Sequence, residues 1–258
     1  MCLLLKKKLQ NITNKVWTVA TLVVILVIWQ VATGTGIISK FLLPSPFDVI
    51  LALIKDFPLL MVNARVTLLE AFLGLLLGVA IGFIMAVLMD RFDKLYQSFY
   101  PLIVLTQTIP TVAIAPLLVL WFGYEMTPKI ILIVIVTFFP ITVGLLDGFK
   151  AIDQDAVHLL RSMGASKGQI FRYIKFPSSL GQFFAGLKIS ASYAVVGAVI
   201  SEWLGGFHGL GVYMTRVRKA YSFDKMFAVI FLISMISLLL TWAIGFLKKK
   251  CMPWENRP

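Results

Sequence analysis

The chain has 258 residues, of which 59% are hydrophobic and 14% charged. A soluble domain of this length is roughly half apolar and a quarter charged, so a water-soluble globule is excluded. The net charge of +12 does not point to nucleic acid either, because the basic residues are spread over the ends of apolar blocks.

Those blocks have the length that a bilayer-crossing helix needs, about 20 residues. Lipid offers the backbone no water, so a spanning segment must be a helix or part of a closed barrel. No period-2 alternation marks barrel strands, and an all-α membrane protein is predicted. Six spans are expected, over 16–32, 66–89, 101–121, 130–149, 183–203 and 227–247. Lysine and arginine gather before the first span, after the second, between the fourth and fifth, and after the last. By the positive-inside rule both termini lie in the cytoplasm. Lysines ahead of an apolar run, with small residues at Ala32-Thr33-Gly34, also fit a cleaved signal peptide. Five further spans need no separate secretory signal, so the first block is read as a span. Cys2 and Cys251 fall on the reducing side of this topology and show no metal-ligand spacing, so neither a disulfide nor a metal site is expected.

After the first span comes Leu43-Pro44-Ser45-Pro46-Phe47-Asp48. Ser45 is a natural N-cap, Pro46 suits the first helical position and Asp48 completes a capping box. A short helix at the outer surface is predicted there.

The second span carries Glu70, Gly74, Gly78, Gly82 and Ala86 at four-residue spacing, one small-residue face onto which another helix can close. The third holds Pro110 and Pro116, which remove backbone donors and predict a kink or break. Beside them, Gln107, Thr108 and Thr111 either re-satisfy freed carbonyls or bond a solute. The fifth span repeats the small-residue face with Gly186, Ser190, Ala194, Ala198 and Glu202, and Trp203 follows. An ionisable side chain at membrane depth usually faces protein or water. Glu70, Gln107, Thr108, Thr111, Ser190, Glu202 and Trp203 are therefore the candidates to line a path. Tight packing and an interfacial carboxylate beside a belt tryptophan are the plainer alternatives.

Between the fourth and fifth spans the pattern changes, over residues 150–177. Ile152, Ala156, Leu159, Leu160 and Met163 recur at helical spacing opposite polar residues. Gly164 is a helix stop, Ser166 with Gln169 opens a second helix, and Pro177 is expected to end it. The element reads as two short amphipathic helices held by spans at both ends. Either it projects to a partner and transmits force, or it rests on the inner leaflet.

Here the sequence resembles a known family. Asp155-Ala156-Val157, then Gly164, then Ile174-Lys175-Phe176-Pro177 resembles the EAA loop of binding-protein-dependent ABC importer permeases. That signature runs Glu-Ala-Ala, three residues, Gly, nine residues, Ile-x-Leu-Pro. Asp155 is set on the signature Glu and Val157 on its second Ala. Leu43-Pro44-Ser45-Pro46, Trp121-Phe122-Gly123, Glu202-Trp203-Leu204-Gly205 and Gly209-Leu210-Gly211 resemble the nitrate/sulfonate/taurine-type branch.

The resemblance implies a type I importer fold in a bacterial cytoplasmic membrane. Residues 1–63 would form an N-terminal span and outer segment, 64–247 the permease core, and 248–258 a cytoplasmic tail. It implies a permease homodimer, two cytoplasmic ATPase subunits and an extracytoplasmic solute-binding protein. ATP and magnesium would reside on the ATPases, since this chain has no phosphate loop or cofactor motif of its own. Asp155, Ala156, Leu159, Leu160, Gly164, Ile174 and Pro177 would then couple the permease to the ATPase.

The runs Thr67-Leu68-Leu69-Glu70 and Gln107-Thr108-Ile109-Pro110 look closest to permeases for thiamine-precursor pyrimidines. An acid at position 70 would repel an anionic solute if it faced the path. Riboflavin, sulfonate, taurine or nitrate import are the alternatives. A secondary transporter predicts repeats and midplane ion sites, and a membrane enzyme predicts a metal or nucleophile motif; neither pattern is visible.

Overall fold

The computed structural model describes residues 2–36, 38–39 and 41–256, and every described element is helical. In chain order these are α1 (Cys2–Gly34), α2 (Pro46–Lys55), α3 (Phe57–Arg91), α4 (Asp93–Thr108), α5 (Thr111–Phe122), α6 (Met126–Lys150), α7 (Gln154–Ser162), α8 (Lys167–Ile170), α9 (Phe176–Leu204), α10 (Leu210–Lys219) and α11 (Phe223–Cys251). The chain divides into two compact units, one of Met1–Leu60 with Arg216–Phe231 and one of Met61–Thr215 with Leu232–Pro258. Residues 257 and 258 of the expected tail lie outside the described residues.

Five stretches are long and apolar enough to cross a membrane: Val16–Gly34, Phe57–Arg91, Met126–Lys150, Lys167–Leu204 and Phe223–Cys251. The sixth expected span is a bent pair, α4 and α5, whose axes turn by 98°. The cause is Pro110. It has no N–H to continue the ladder, and it drives Ile109 out of helical geometry to φ −85°, ψ 122°. Pro116, the second expected breaker, sits inside α5 without interrupting it.

In the first unit, α2 begins as its sequence predicts. The Asp48 N–H donates to Ser45 Oγ at 3.2 Å and the Ser45 N–H donates to Asp48 Oδ2 at 3.3 Å. Val49 and Ala52 of α2 bury against Trp29 and Phe227, and the Trp29 indole donates to the Pro44 carbonyl at 3.1 Å. A partly buried indole is satisfied by such an acceptor.

In the second unit the core is α6 clasped by α3 and α9. A Cβ on Gly74 or Gly78 would overlap Ile133 or Thr137 of α6, and one on Gly82 would press on the Phe138 carbonyl. On the other side, Gly186 meets the Pro140 carbonyl and Gly144 the Gln182 carbonyl. Ser190 Oγ donates to the Thr137 carbonyl at 2.7 Å, and Ala194 and Ala198 bury against Ile133 and Ala71. Both small-residue stripes thus do the same job: in lipid, close backbone approach supplies the dispersion that water-driven collapse cannot.

One boundary differs from expectation. Pro177 does not end a helix before the membrane resumes. A π-helical turn over Phe171–Lys175 joins α8 to α9, with the Phe176 N–H reaching back five residues to the Phe171 carbonyl. The widened turn accommodates the proline in the first turn of α9 without ending the helix. Loop and span are one continuous helical rod, Lys167–Leu204, of 38 residues.

Candidate functional site

Three places in the second unit gather the residues singled out in the sequence. The first is a buried polar cluster. Asn63, Thr67 and Glu70 stand one turn apart on α3; Lys129 comes from the start of α6 and Glu202 from the end of α9. Glu70, Glu202 and Lys129 retain only 1%, 2% and 5% of their exposure. Lys129 Nζ donates to Glu70 Oε1 at 2.6 Å. The Thr67 hydroxyl donates to Glu202 Oε1 at 2.7 Å and accepts the Leu210 N–H at 2.9 Å. The Gly211 N–H donates to Glu202 Oε2 at 2.6 Å, and the Gly209 N–H to Asn63 Oδ1 at 3.0 Å.

The last three bonds describe a helix start. The first N–H groups of α10 have no intrahelical partner, and Glu202 and Thr67 satisfy them from other helices. A carboxylate there also meets the positive end of the helix dipole. Gly209 makes the fit possible. Its φ is +128°, and a Cβ would collide with the Glu202 carboxyl group. Spans α3 and α9 are thereby tied to one turn, residues 205–211.

The second place is a pocket of about 220 Å³ lined by Gln107, Thr111, Val136, Tyr193, Val196, Gly197 and Ile200. The break at Pro110 puts the polar residues there: it leaves Gln107 and Thr111 on either side of the bend, both bordering a pocket walled by α6 and α9. Thr108 is exposed and donates to the Leu105 carbonyl at 2.8 Å, the backbone-satisfying use that a kink invites. Trp203 is exposed at the end of α9. Glu70, Ser190 and Glu202 are interior residues that do not open onto this pocket. With Glu70 paired to Lys129, its charge is no argument against an anionic solute.

The third place is the 150–177 loop. Asp153 caps α7 by accepting the Asp155 N–H at 2.9 Å. Gly164, at φ +83°, closes α7: its N–H bonds the Arg161 carbonyl and the Ala165 N–H the Leu160 carbonyl, both at 2.9 Å. This is the double bond pattern that a left-handed glycine permits. Ser166 and Gln169 exchange the expected capping-box bonds. The loop's own core is Ile152, Val157 and Ile170, with Leu160 and Ile174 against them. Val157 was absent from the expected apolar face. Leu159 and Met163, expected on that face, stand 64% and 74% exposed. The loop base is stiffened by Phe149, Phe171 and Phe176 in successive ring contacts and by Lys175, which bonds both oxygens of Asp90 at 2.7 and 2.8 Å.

Residues 78–252 match the family model described as a binding-protein-dependent transport system inner membrane component. The chain belongs to that family. It is a multi-pass permease of the bacterial cytoplasmic membrane, a transport subunit and not an enzyme. It is 36% identical over 234 residues to the formylaminopyrimidine transport permease protein of Halalkalibacterium halodurans, covering 90% of this chain and 93% of that one. It is 38% identical over 224 residues to a probable ABC transporter permease of Haemophilus influenzae, with 87% and 91% covered. A chain of the MetNI methionine ABC transporter in an inward-facing conformation superposes with a TM-score of 0.68 at 19% identity, covering 76% of this permease and 97% of that chain. That likeness gives the type I importer fold.

Within this permease the loop signature needs one realignment. Gly164, Ile174 and Pro177 keep the interval of nine residues. Six residues separate Val157 from Gly164, where the signature has three. Counting back from the glycine puts His158, Leu159 and Leu160 at the Glu-Ala-Ala positions, and Asp155 falls one turn earlier.

Proposed function

We propose that this permease forms half of the translocation path of an ATP-driven importer for a small heterocycle. It works as a homodimer with two cytoplasmic ATPase subunits, which hold ATP and magnesium, and an extracytoplasmic solute-binding protein. Both termini and the 150–177 loop face the cytoplasm, in keeping with the basic residues of the tail and the loop.

The observation that carries this reading is the outer face of α7. Leu159 and Met163 are exposed on a capped helix whose other side is already buried in the loop's own core. Exposed apolar side chains on a span meet lipid; on a water-facing loop they fit a partner's groove. Asp155, one turn before Leu159, gives that face its polar edge. Gly164, Ile174 and Pro177 set the angle at which α7 leaves the rod.

The solute class rests on the bent span. Gln107 and Thr111 offer donors and acceptors, and the Tyr193 ring offers a flat apolar face, which suits a planar heterocycle better than a bare sulfonate. The relative named for formylaminopyrimidine transport supports the same class. At about 220 Å³ the pocket falls below the ~300–1,000 Å³ usual for a ligand site, as fits one half of a site completed by a second copy.

The test is co-purification of the ATPase subunit with Leu159→Asp/Met163→Asp. We expect the ATPase to be lost from a permease that stays folded by circular dichroism. Full retention with hydrolysis still coupled to uptake would refute the docking role and favour a helix resting on lipid. For the solute, Tyr193→Ala should cut heterocycle uptake into vesicles at least tenfold and Tyr193→Phe should not.

A further inference from the structure

Lys188 has no role in the transport reading. It lies within the apolar length of α9, and no described carboxylate stands within ion-pair distance of it. Its ammonium group extends over Gly245 of α11, where an added Cβ would come within 3.5 Å of Nζ. An unpaired cation inside a span is costly unless it reaches an anion or the interface.

Around it is a groove of about 790 Å³ between α9 and the last turns of α11. The floor is Leu238, Trp242 and Phe246, and the two rings stack with centroids 6.3 Å apart. The rim is Lys188, Lys248 and Lys249, and none of the described residues lining the groove is acidic. The Thr241 hydroxyl is within 3.3 Å of Ser192 Oγ, which ties the two helices together at the groove's edge.

Depth follows from helix length. α11 has 29 residues, which at 1.5 Å each is about 43 Å. The hydrocarbon layer is about 30 Å, so the end of α11 bearing Lys248 and Lys249 stands among the lipid headgroups. Gly245, and with it Lys188, lies six residues from Cys251, about 9 Å deeper along the axis. The groove therefore runs from headgroup level, where it is cationic, into the acyl layer, where it is aromatic.

We propose that this groove seats one anionic phospholipid of the bilayer. Lys188 and Lys249 hold its phosphate and an acyl chain lies along Trp242 and Phe246. Free phosphate would match the rim and leave the apolar floor uncovered. A neutral phospholipid would match the floor and leave Lys188 without an anion at its depth in the span.

The test is lipid retention by the full-length permease, read by native mass spectrometry after exchange into phosphatidylglycerol or phosphatidylcholine. Wild type should keep one phosphatidylglycerol per chain and no phosphatidylcholine. A lysine near the membrane surface is worth about fivefold in anionic-lipid affinity. Lys188→Gln/Lys249→Gln should therefore weaken retention roughly 25-fold, and the corresponding double arginine variant should restore it. Gly245→Leu leaves every charge in place and fills the groove, and it should also lose the lipid. Equal retention of the two lipids by wild type overturns the proposal, as does equal retention by wild type and the glutamine variant. Retention unaffected by Gly245→Leu overturns the seat, leaving only diffuse attraction. Millimolar inorganic phosphate that displaces the lipid completely would show a phosphate site instead.

Discussion

Removing Lys129 tests the account of the buried cluster most directly. In Lys129→Met the side chain keeps its length and loses its charge. Glu70 Oε1 then has no donor, and Glu70 Oε2 already lacks a hydrogen-bond partner among the described residues. A carboxylate left alone in the interior costs about 3–5 kcal/mol when its partner is deleted. Each kcal/mol shifts the midpoint by about 2–4 °C in a chain of this size, so the loss should be roughly 6–20 °C. The assay is thermal unfolding of the purified permease in one detergent, repeated for Glu70→Leu and for Glu70→Leu/Lys129→Met. The double variant leaves no stranded charge and should recover most of the loss, since well-packed apolar replacements of buried pairs are often neutral. A single variant within 2 °C of wild type, or a double variant no more stable than Lys129→Met, would refute the buried ion pair.

The other predictions concern the turn and the loop. Gly209→Ala places a Cβ against the Glu202 carboxyl group at a φ that L-residues avoid. We expect a loss of about 1–3 kcal/mol, measured as the same midpoint, together with faster hydrogen exchange at the Leu210 and Gly211 amides. Unchanged exchange there would mean that Glu202 does not cap α10. Asp153→Ala removes the only side-chain cap of α7 and should cost about 1 kcal/mol, visible as fraying of its first turn by hydrogen exchange. Asp153→Asn should leave it protected.

Local chemistry was legible wherever it was local in cause. The Ser45–Asp48 and Ser166–Gln169 capping boxes, the Gly164 stop and the break at Pro110 are each decided within four residues. The small-residue stripes were legible as faces, but what they met was not. Spacing shows that Gly186, Ser190 and Ala194 share a side of α9, and only the fold shows that side turned to α6. The parts that Lys129 and Thr67 play in the cluster are not local for a related reason. Lys129 stands just ahead of the fourth expected span, and its pairing with Glu70 is made across 59 positions of sequence. A lone lysine opening an apolar span, with two carboxylates in other spans, was the available signal. Leu159 and Met163 differ from expectation because a hydrophobic period marks an apolar face without saying whose core it enters. The loop buries Val157 within itself and leaves those two outward.

The join at Phe171–Lys175 changes how the loop and the cluster relate. If Pro177 had ended a helix, motion of α7 would be absorbed at a hinge before reaching the membrane. The π turn keeps the rod continuous over 38 residues, about 57 Å at helical rise. One end is set by the Phe149–Phe171–Phe176 contacts and the Asp90–Lys175 pair, and the other by Glu202 in its cage of hydrogen bonds. A tilt of about 5° about the loop end displaces the Glu202 end of such a rod by about 5 Å. That is larger than any hydrogen bond in the cluster can stretch, so the 205–211 turn and α10 must either travel with α9 or release it. Thr67 and Asn63 hold the same turn to α3, and the Gly186 and Gly144 contacts hold α9 to α6. Movement without rupture therefore requires α3, α6 and α9 to tilt as one body. The bend at Pro110, where no ladder bond crosses the break, is where the remaining span can yield.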